Sequence, residues 1–258
     1  MEASFDKAAP DYDASFTNSQ IGQLQRQQVY QQLSKQLNGI ETILEINCGT
    51  GEDAIWLAQQ NFKVTAADIS PKMIETARKK DAFSNLDFVV SDIKNSAEAF
   101  TGRKFDLIFS NFGGLNCLTK SELEKFFHDS KSLLSDNGKM VLVIMPKNTL
   151  WEQAYFLAKA QFSNVLRRKR QMALANVSGE KVPTYYFNPK DIVNLAGNDF
   201  EMVAQKPIGF FVPPSYMENF FRNKNGALRF LNVLEKGISN WPFLSKFADH
   251  YIITLQKR

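Results

Sequence analysis

The chain has 258 residues, 44% hydrophobic and 22% charged, with a net charge of +4; this describes a soluble globular protein of one large domain, or one domain with an insertion, and calls for no nucleic-acid partner. Two cysteines and two histidines exclude a disulfide scaffold and argue against a transition-metal site, so no metal is expected and the thiols fit a reducing cytoplasm. The start, Met-Glu-Ala-Ser-Phe-Asp-Lys, lacks the apolar core of a secretory signal, and the longest apolar run, Met140 to Met145, is too short to span a bilayer.

In chain order, the glutamine-rich stretch Gln23 to Gln36 carries Ile21, Leu24, Tyr30, Leu33 and Leu37 at helical spacing and reads as an amphipathic helix. From about residue 40 to 145 strands and helices alternate, which predicts a doubly wound parallel sheet with helices on both faces. The strands are Thr42–Ile46, Lys63–Ala67, Leu86–Val90, Phe105–Ser110 and Lys139–Met145, all rich in β-branched or large apolar residues. Between them, Asp53–Gln60 reads as a helix, and a second starts at Ser70-Pro71, with serine as cap and proline at the first position. Thr119 and Glu122 form a capping box for a helix whose apolar face is Leu123, Phe126, Phe127, Leu133 and Leu134. Asp136-Asn-Gly138 then turns the chain into the fifth strand. Beyond Pro146, Thr149 and Glu152 cap a long amphipathic helix to about Arg170, with Leu150, Trp151, Tyr155, Phe162 and Leu166 on its apolar side. A loop or ribbon containing residues 182–187 follows, then a short helix from Asn188-Pro189 that Gly197 terminates. Phe200–Gln205 is a sixth strand and Tyr251–Leu255 the last, separated by a helical segment at about 215–247.

The chemistry gathers where three consecutive strands finish. The first runs through Glu45 into Asn47-Cys-Gly-Thr-Gly51, a turn that opens a helix with little side chain in the way of a ligand. A dinucleotide site wants Gly-x-Gly-x-x-Gly; Asn47 and Glu52 break that pattern, although asparagine tolerates positive φ and keeps the turn available. The second strand ends at Asp68 and the third at Asp92. In an open parallel sheet these ends share one edge, where ligands bind. Asp68 suits the vicinal hydroxyls of a ribose and Asp92 an exocyclic adenine amine, with Ile69 and Ile93 on either side of the ring. Glu45 is placed to hold an ammonium or order a water.

The set Glu45-x-Asn-Cys-Gly-Thr-Gly51, Ala-Asp68-Ile-Ser-Pro-Lys-Met73, Ser-Asp92-Ile and Phe-Asp-Leu-Ile-Phe-Ser-Asn111 resembles the class I S-adenosylmethionine-dependent methyltransferases over residues 40 to 146. The resemblance implies a Rossmann-like, mostly parallel seven-stranded α/β sheet with an antiparallel last strand. It also implies S-adenosyl-L-methionine as cofactor, held by Glu45, Asn47, Cys48, Gly49, Gly51, Asp68, Ile69, Met73, Asp92, Ile93, Asn111 and Phe112. The N-terminal Phe5-Asp-Lys-Ala-Ala-Pro-Asp-Tyr12-Asp13 looks like the entry segment of relatives acting on quinones and acyl-carrier thioesters. Tyr12 is then a lid contact, and Arg26 reaches for the methionine carboxylate. Residues 1–38 form a helical lid, and 39–258 the methyltransferase domain with cap insertions at about 147–187 and 213–247.

Other features have plainer readings. Cys48 and Cys117 read as buried inert thiols, His128 as a solvated surface residue, and Arg167-Arg-Lys-Arg170 as a solvated helix end. His250 reads first as structural. If its strand is antiparallel, however, it starts on the cofactor edge roughly 10 Å from the fourth strand, where Asp249 can tune it as a catalytic base. Because a sulfonium methyl is already activated, positioning and exclusion of water supply most of the acceleration, and an acidic acceptor needs no base. After the fourth strand, Asn116 faces the acceptor. The loop lacks the Asn/Asp-Pro-Pro-aromatic pattern of enzymes that methylate nucleic-acid amines. The many aromatics beyond residue 146, Tyr185 and Tyr186 among them, suit an apolar or aromatic small molecule: a lipid, quinone, polyketide or acyl-carrier-bound chain. An RNA or protein methyltransferase, or a non-catalytic S-adenosylmethionine-binding protein, are the alternatives.

Overall fold

Alternating apolar residues make seven of the strands fit one sheet with a core on each side. The computed structural model describes residues 5–177 and 179–258. Strands β1 (Thr42–Ile46), β2 (Lys63–Asp68), β3 (Leu86–Val90), β4 (Phe105–Ser110), β5 (Leu134–Ile144), β8 (Phe200–Ile208) and β9 (His250–Lys257) form it, while β6 (Ala173–Val177) and β7 (Glu180–Thr184) pair as a separate ribbon. The order is β3-β2-β1-β4-β5-β9-β8, with β1 to β5 mutually parallel and β9 antiparallel to both of its neighbours. The strand order reverses between β1 and β4, so a crevice opens at their carboxyl ends.

The helices are α1 (Gln20–Leu33), α2 (Glu52–Ala58), α3 (Pro71–Lys80), α4 (Ser96–Ala99), α5 (Lys120–Leu133), α6 (Leu150–Ala158), α7 (Pro189–Ala196), α8 (Glu218–Phe221) and α9 (Asn225–Ile238). On one face of the sheet Leu44, Ile108, Leu142 and Ile253 pack against Leu123, Phe126 and Phe127 of α5 and Ile192 of α7. On the other, Ile43, Phe109, Val141 and Ile252 meet Val29 and Leu33 of α1, Ala54 and Leu57 of α2, and Ile74 and Ala77 of α3. Neighbouring residues of each strand thus serve opposite cores, as period-two alternation requires. The expected caps at α3, α5 and α7 are present: Ser70 Oγ accepts from the Met73 amide, Thr119 and Glu122 bond reciprocally, and Asn188 and Asp191 do the same. Among the described residues no helix is long and apolar enough to cross a membrane.

Two expected elements differ. The fifth strand starts at Leu134, but its register on β4 jumps from Leu134 to Lys139, and Asn137 within that jump has φ of 62°. The expected turn is therefore a looped-out step inside the strand. The long helix expected to reach Arg170 ends at Ala158; Ala160 takes φ of 53°, and two short 3₁₀ turns follow. Glu152 does not cap it, because its carboxylate is buried and bound to Arg167 and Arg168. Leu150, Phe162 and Leu166, expected to be packed, are exposed as a result.

Gly51 sets the closeness of α2 to the sheet. It sits at φ of 81°, and a Cβ there would lie 2.6 Å from the Phe88 ring and 2.9 Å from Ala77 Cβ. Gly51→Ala is expected to cost about 2–4 kcal/mol, the sum of a left-handed alanine and an overpacked contact, read as a lower urea midpoint at unchanged slope.

Candidate functional site

The exit of β1 is built by alternate left-handed residues: Asn47 at φ of 55°, Gly49 at 54° and Gly51 at 81°. Asparagine at the first of these is stabilised by its own side chain. Its Oδ1 accepts from Ser110 Oγ at 2.7 Å, and its Nδ2 donates to the Asn111 carbonyl at 2.8 Å. Asn47 therefore clasps β1 to the end of β4, with Gly114 so near that a Cβ there would lie 2.2 Å from the Asn47 side chain. At Gly49 a Cβ would meet nothing closer than the Tyr12 ring at 3.8 Å, so the middle of the turn is an open cradle roofed by an aromatic.

Asp68 is latched. One carboxylate oxygen accepts from the Gly49 amide at 2.8 Å and the other from the Ser70 amide at 2.9 Å, which fixes the turn against the start of α3. Each oxygen keeps a second lone pair for a hydroxyl. Burial pushes this carboxyl above the usual range, against the pull of those amides. Asp92 caps the turn after β3 by accepting from the Lys94 amide at 3.0 Å. Ile69 is 47% exposed, whereas Ile93 packs into the core under α5. Met73, expected to face a cofactor, is instead buried beneath Ala8, Ala9 and Tyr12, because its helix is the floor on which the N-terminal segment lies.

A second group of charges lies beneath the turn. Arg26 of α1 is buried and paired with Asp53, whose Oδ1 also accepts from Tyr30 Oη at 2.7 Å and whose Oδ2 accepts from Asn111 Nδ2 at 2.9 Å. Sequence reading missed Asp53, since an acid in the first turn of a helix needs no explanation beyond the helix dipole. Two buried atoms here have no partner: Arg26 Nε and Glu45 Oε2. Burial, and then the Asp53 charge, push the Glu45 carboxyl well above its ordinary range. A cation donor and a carboxylate acceptor left unmatched near one another are what an α-amino acid zwitterion would satisfy.

Residues before α1 close this space as a strap. Asp6 accepts from Ser70 Oγ, and Asp13 from Thr50 Oγ1 at 2.5 Å and Lys80 Nζ at 2.8 Å. Tyr12, Phe16 and Phe112 contact one another in sequence over the site, at 5.6 and 5.2 Å between ring centres, with the Arg26 guanidinium 5.3 Å from Phe112. Desolvation pushes the Tyr12 phenol up to about 12. The cavity lined by Tyr12, Arg26, Asn47, Gly49, Asp53 and Phe112 holds about 30 Å³, about a tenth of what a site for a drug-sized ligand encloses.

Beyond Phe112, itself at φ of 44° and so in a conformation costly for an aromatic residue, stands His250. The two rings meet edge to face at 5.5 Å. His250 Nδ1 lies 3.2 Å from Asp249 Oδ2, off the line of a hydrogen bond. Asp249 is held by Arg168 Nη2 at 2.9 Å and Gln25 Nε2 at 3.3 Å, and Arg168 Nε reaches Glu152 at 3.1 Å. Arg168, expected at a solvated helix end, is thus among the most buried cations in the chain, and Tyr186 lies under its guanidinium at 5.1 Å. Although burial opposes it, the His250 and Arg168 charges hold the Asp249 carboxyl far below the usual range. Asn116 does not face an acceptor. It is fully buried and clasps the Met145 amide, the Met145 carbonyl and the Tyr185 carbonyl, anchoring the end of the ribbon. Tyr185 packs against the core beside it.

Both cysteines are protonated and passive: burial pushes Cys48 well up and Cys117 to about 11. His128 is exposed on α5. Among the described residues no three His, Cys, Asp or Glu side chains are grouped as a metal ion would need.

Comparison with known proteins agrees with this geometry. Residues 43–138 match the family model described as a methyltransferase domain. Over 115 residues the chain is 36% identical to a malonyl-acyl-carrier-protein O-methyltransferase of Ilyobacter polytropus, covering 43% of this chain and 40% of that one. Over 171 residues it is 30% identical to a demethylmenaquinone methyltransferase of Chlorobaculum tepidum, covering 63% and 66%. In both cases the match spans less than two thirds of the relative's length. In fold, the CcbJ methyltransferase from Streptomyces caelestis superposes with a TM-score of 0.62 at 13% identity, covering 99% of this chain and 98% of that one.

Arg168→Met should destabilise the protein by about 3–5 kcal/mol, because it leaves the buried Asp249 without its guanidinium and Glu152 with Arg167 alone. The pH dependence follows from the lowered Asp249. Its contribution is complete above the unfolded carboxylate range and disappears as pH falls below about 4 toward the folded value; urea titrations at stepped pH should show this acid-side loss shrinking in the variant. Glu45→Gln has the opposite sign. A carboxyl raised by folding costs stability above about pH 4.3, so the amide should raise the apo Tm at pH 7 by ~2–4 °C, equivalent to about 1 kcal/mol in a chain this long.

Proposed function

With a methyltransferase domain over residues 43–138, the chain belongs to the S-adenosylmethionine-dependent methyltransferases, and from that premise we propose that it methylates an apolar or aromatic small molecule. The relatives that support this class act, by their names, on an acyl-carrier thioester and on a quinone precursor. One observation carries the reading for this chain: an aromatic and charged wall begins on Phe112 of the cofactor cavity and continues away from it. Phe112 touches His250, Asp249 ties His250 to Arg168, and Arg168 covers Tyr186. From Glu152 the wall continues through Arg167, Phe156, Tyr155 and Tyr216, with ring contacts of 5.2 to 5.5 Å. The run is buried from His250 to Glu152 and reaches solvent at Tyr155, Phe156 and Tyr216, where an acceptor with a planar or apolar body and one polar edge would lie.

The residues fit the methyl donor. When bound, S-adenosylmethionine supplies a methyl group already activated on a sulfonium. Glu45 Oε2 and Arg26 Nε are the open partners for its amino and carboxylate groups, the Gly49 cradle leaves room for its body, and Asp68 and Asp92 offer acceptors to the ribose and adenine. Burial of the Glu45 carboxyl is offset when an ammonium reaches it. Phe112, Phe16 and Tyr12 exclude water from the reacting end, which strengthens every fixed dipole there. His250, beside Phe112 and within ion-pair distance of Asp249, is the group that would take a proton from an acceptor hydroxyl, while a carboxylate acceptor needs none. With about 30 Å³ in the cavity, against the roughly 300 Å³ or more of a ligand site, the strap over residues 5–18 has to lift before the donor enters. In domain terms, 1–38 is then a lid and the stretches near 147–187 and 213–247 are caps.

Thermal shift tests the donor. At about 100 times their dissociation constants, S-adenosylmethionine and its demethylated product should each raise Tm by ~5–10 °C, the counterpart of about 2.7 kcal/mol, and NADH should not. Asp68→Ala, assayed by calorimetry below its own Tm, should lose most of the affinity. No shift with either adenosyl compound would overturn the reading.

A further inference from the structure

The segment 215–247 covers the far side of α1 and leaves one face of its own uncovered. Inward, Leu228 and Leu231 of α9 and Phe221 of α8 pack on Ile21 of α1 and on Val212. Outward, Phe230 and Val233 lie one turn apart on α9 and are 62% and 65% exposed. Gly226 and Gly237 extend that stripe without adding bulk. Phe220, Trp241 and Phe243 are exposed as well, the last two stacked on each other. Five large apolar side chains presented to solvent within 24 residues are more than scattered surface hydrophobes account for.

The charges of this segment are sorted. It holds two acids, Glu218 and Glu235, and both are turned inward. Glu218 accepts from the amides of Gln20 and Ile21 at the start of α1, each at 3.0 Å. Glu235 accepts from the amides of Phe210, Phe211 and Val212. Its five cations, Arg222, Lys224, Arg229, Lys236 and Lys246, are all exposed. Among the described residues none of the five has a carboxylate partner within an ion pair; Lys224 instead stands 3.3 Å above the Phe220 ring. On α9, Arg229 and Lys236 border the Phe230–Val233 stripe on one side.

We infer that this face of α8, α9 and the following turn is an adsorption surface for an anionic lipid bilayer. Aromatic rings set among unpaired lysines and arginines, with no free acid between them, match an interface whose headgroups are negative and whose next layer is apolar. The charge sorting selects this occupant. A second copy of the chain would bring the same cations against themselves, and an RNA, which engages phosphates and stacks its bases on rings, would leave the aliphatic Val233 and the glycine-bearing part of the stripe unused. Adsorption does not depend on the methyl acceptor; only the corollary that the bilayer delivers an apolar acceptor rests on the proposed function.

Flotation of the full chain with vesicles tests the inference. Binding to phosphatidylcholine mixed with phosphatidylglycerol should be at least ~tenfold tighter than to phosphatidylcholine alone and should weaken as salt rises. The triple variant Arg222→Glu, Arg229→Glu, Lys236→Glu should lose the binding, as should Phe230→Ser with Trp241→Ser. All of these positions are exposed, and unchanged circular dichroism and an unchanged thermal shift with S-adenosylmethionine would show that fold and donor site persist. Absence of binding to anionic vesicles, or variants that bind like the parent, would overturn the inference. So would concentration-dependent dimerisation that Phe230→Ser abolishes, or RNA binding tighter than that to the anionic vesicles and weakened by either variant. In each of those cases the donor's thermal shift still reports on the methyltransferase reading separately.

Discussion

Everything at the carboxyl edge of the sheet depends on how sharply the chain leaves β1. Three left-handed residues in five, Asn47, Gly49 and Gly51, let α2 start against Phe88 while the middle of the turn stays bare. A left-handed asparagine is affordable because its side chain works elsewhere, bonding Ser110 and Asn111 and so locking the two strands between which the sheet order reverses. Asp68 then binds the same turn from the β2 side. The turn is thus held from both neighbours, and its shape does not rely on a ligand.

Two buried charge systems flank it with different characters. Around Asp249 each guanidinium nitrogen of Arg168 is matched by an acceptor, so Arg168, Glu152 and Asp249 form a closed arrangement in which desolvation is offset by mutual attraction. Around Arg26 the matching is incomplete. Asp53 takes one side of the guanidinium, but Nε and the Glu45 carboxylate stay open. Satisfied charge rigidifies the surroundings of Asp249, and unsatisfied charge is stored beside Arg26, in the place the proposed function gives to the donor's zwitterion.

Much of this was legible in the sequence because it is local. Runs of β-branched and large apolar residues located the seven strands of the sheet, with boundaries shifted mainly where β5, β8 and β9 run longer. The Ser70, Thr119 and Asn188 caps were readable within four residues each. The acids at the strand ends were readable because parallel topology puts such ends on one edge. What escaped notice was non-local. Arg168 meets Glu152 across a reversal of direction at Ala160 and Asp249 from 81 residues away, so nothing near it in sequence marks it as buried. Met73 and Asn116 sit in sequence beside cofactor motifs, yet packing under the strap and clasping of the ribbon claim them. Proximity in a motif is not direction in space.

The Arg168 bridge has a consequence for how such a chain diversifies. Insertions after the fifth strand are ordinarily replaceable, because loops carried on a scaffold can be exchanged without cost to it. Here the insertion pins its own arginine into the start of β9 and draws a glutamate in with it, while Asn116 holds its other end. The segment and the sheet therefore share one electrostatic core. Grafting this segment onto a sheet with no acid at the place of Asp249 would carry in a buried cation with only half of its partners, so the segment can change freely only where the arginine and its two carboxylates are kept together.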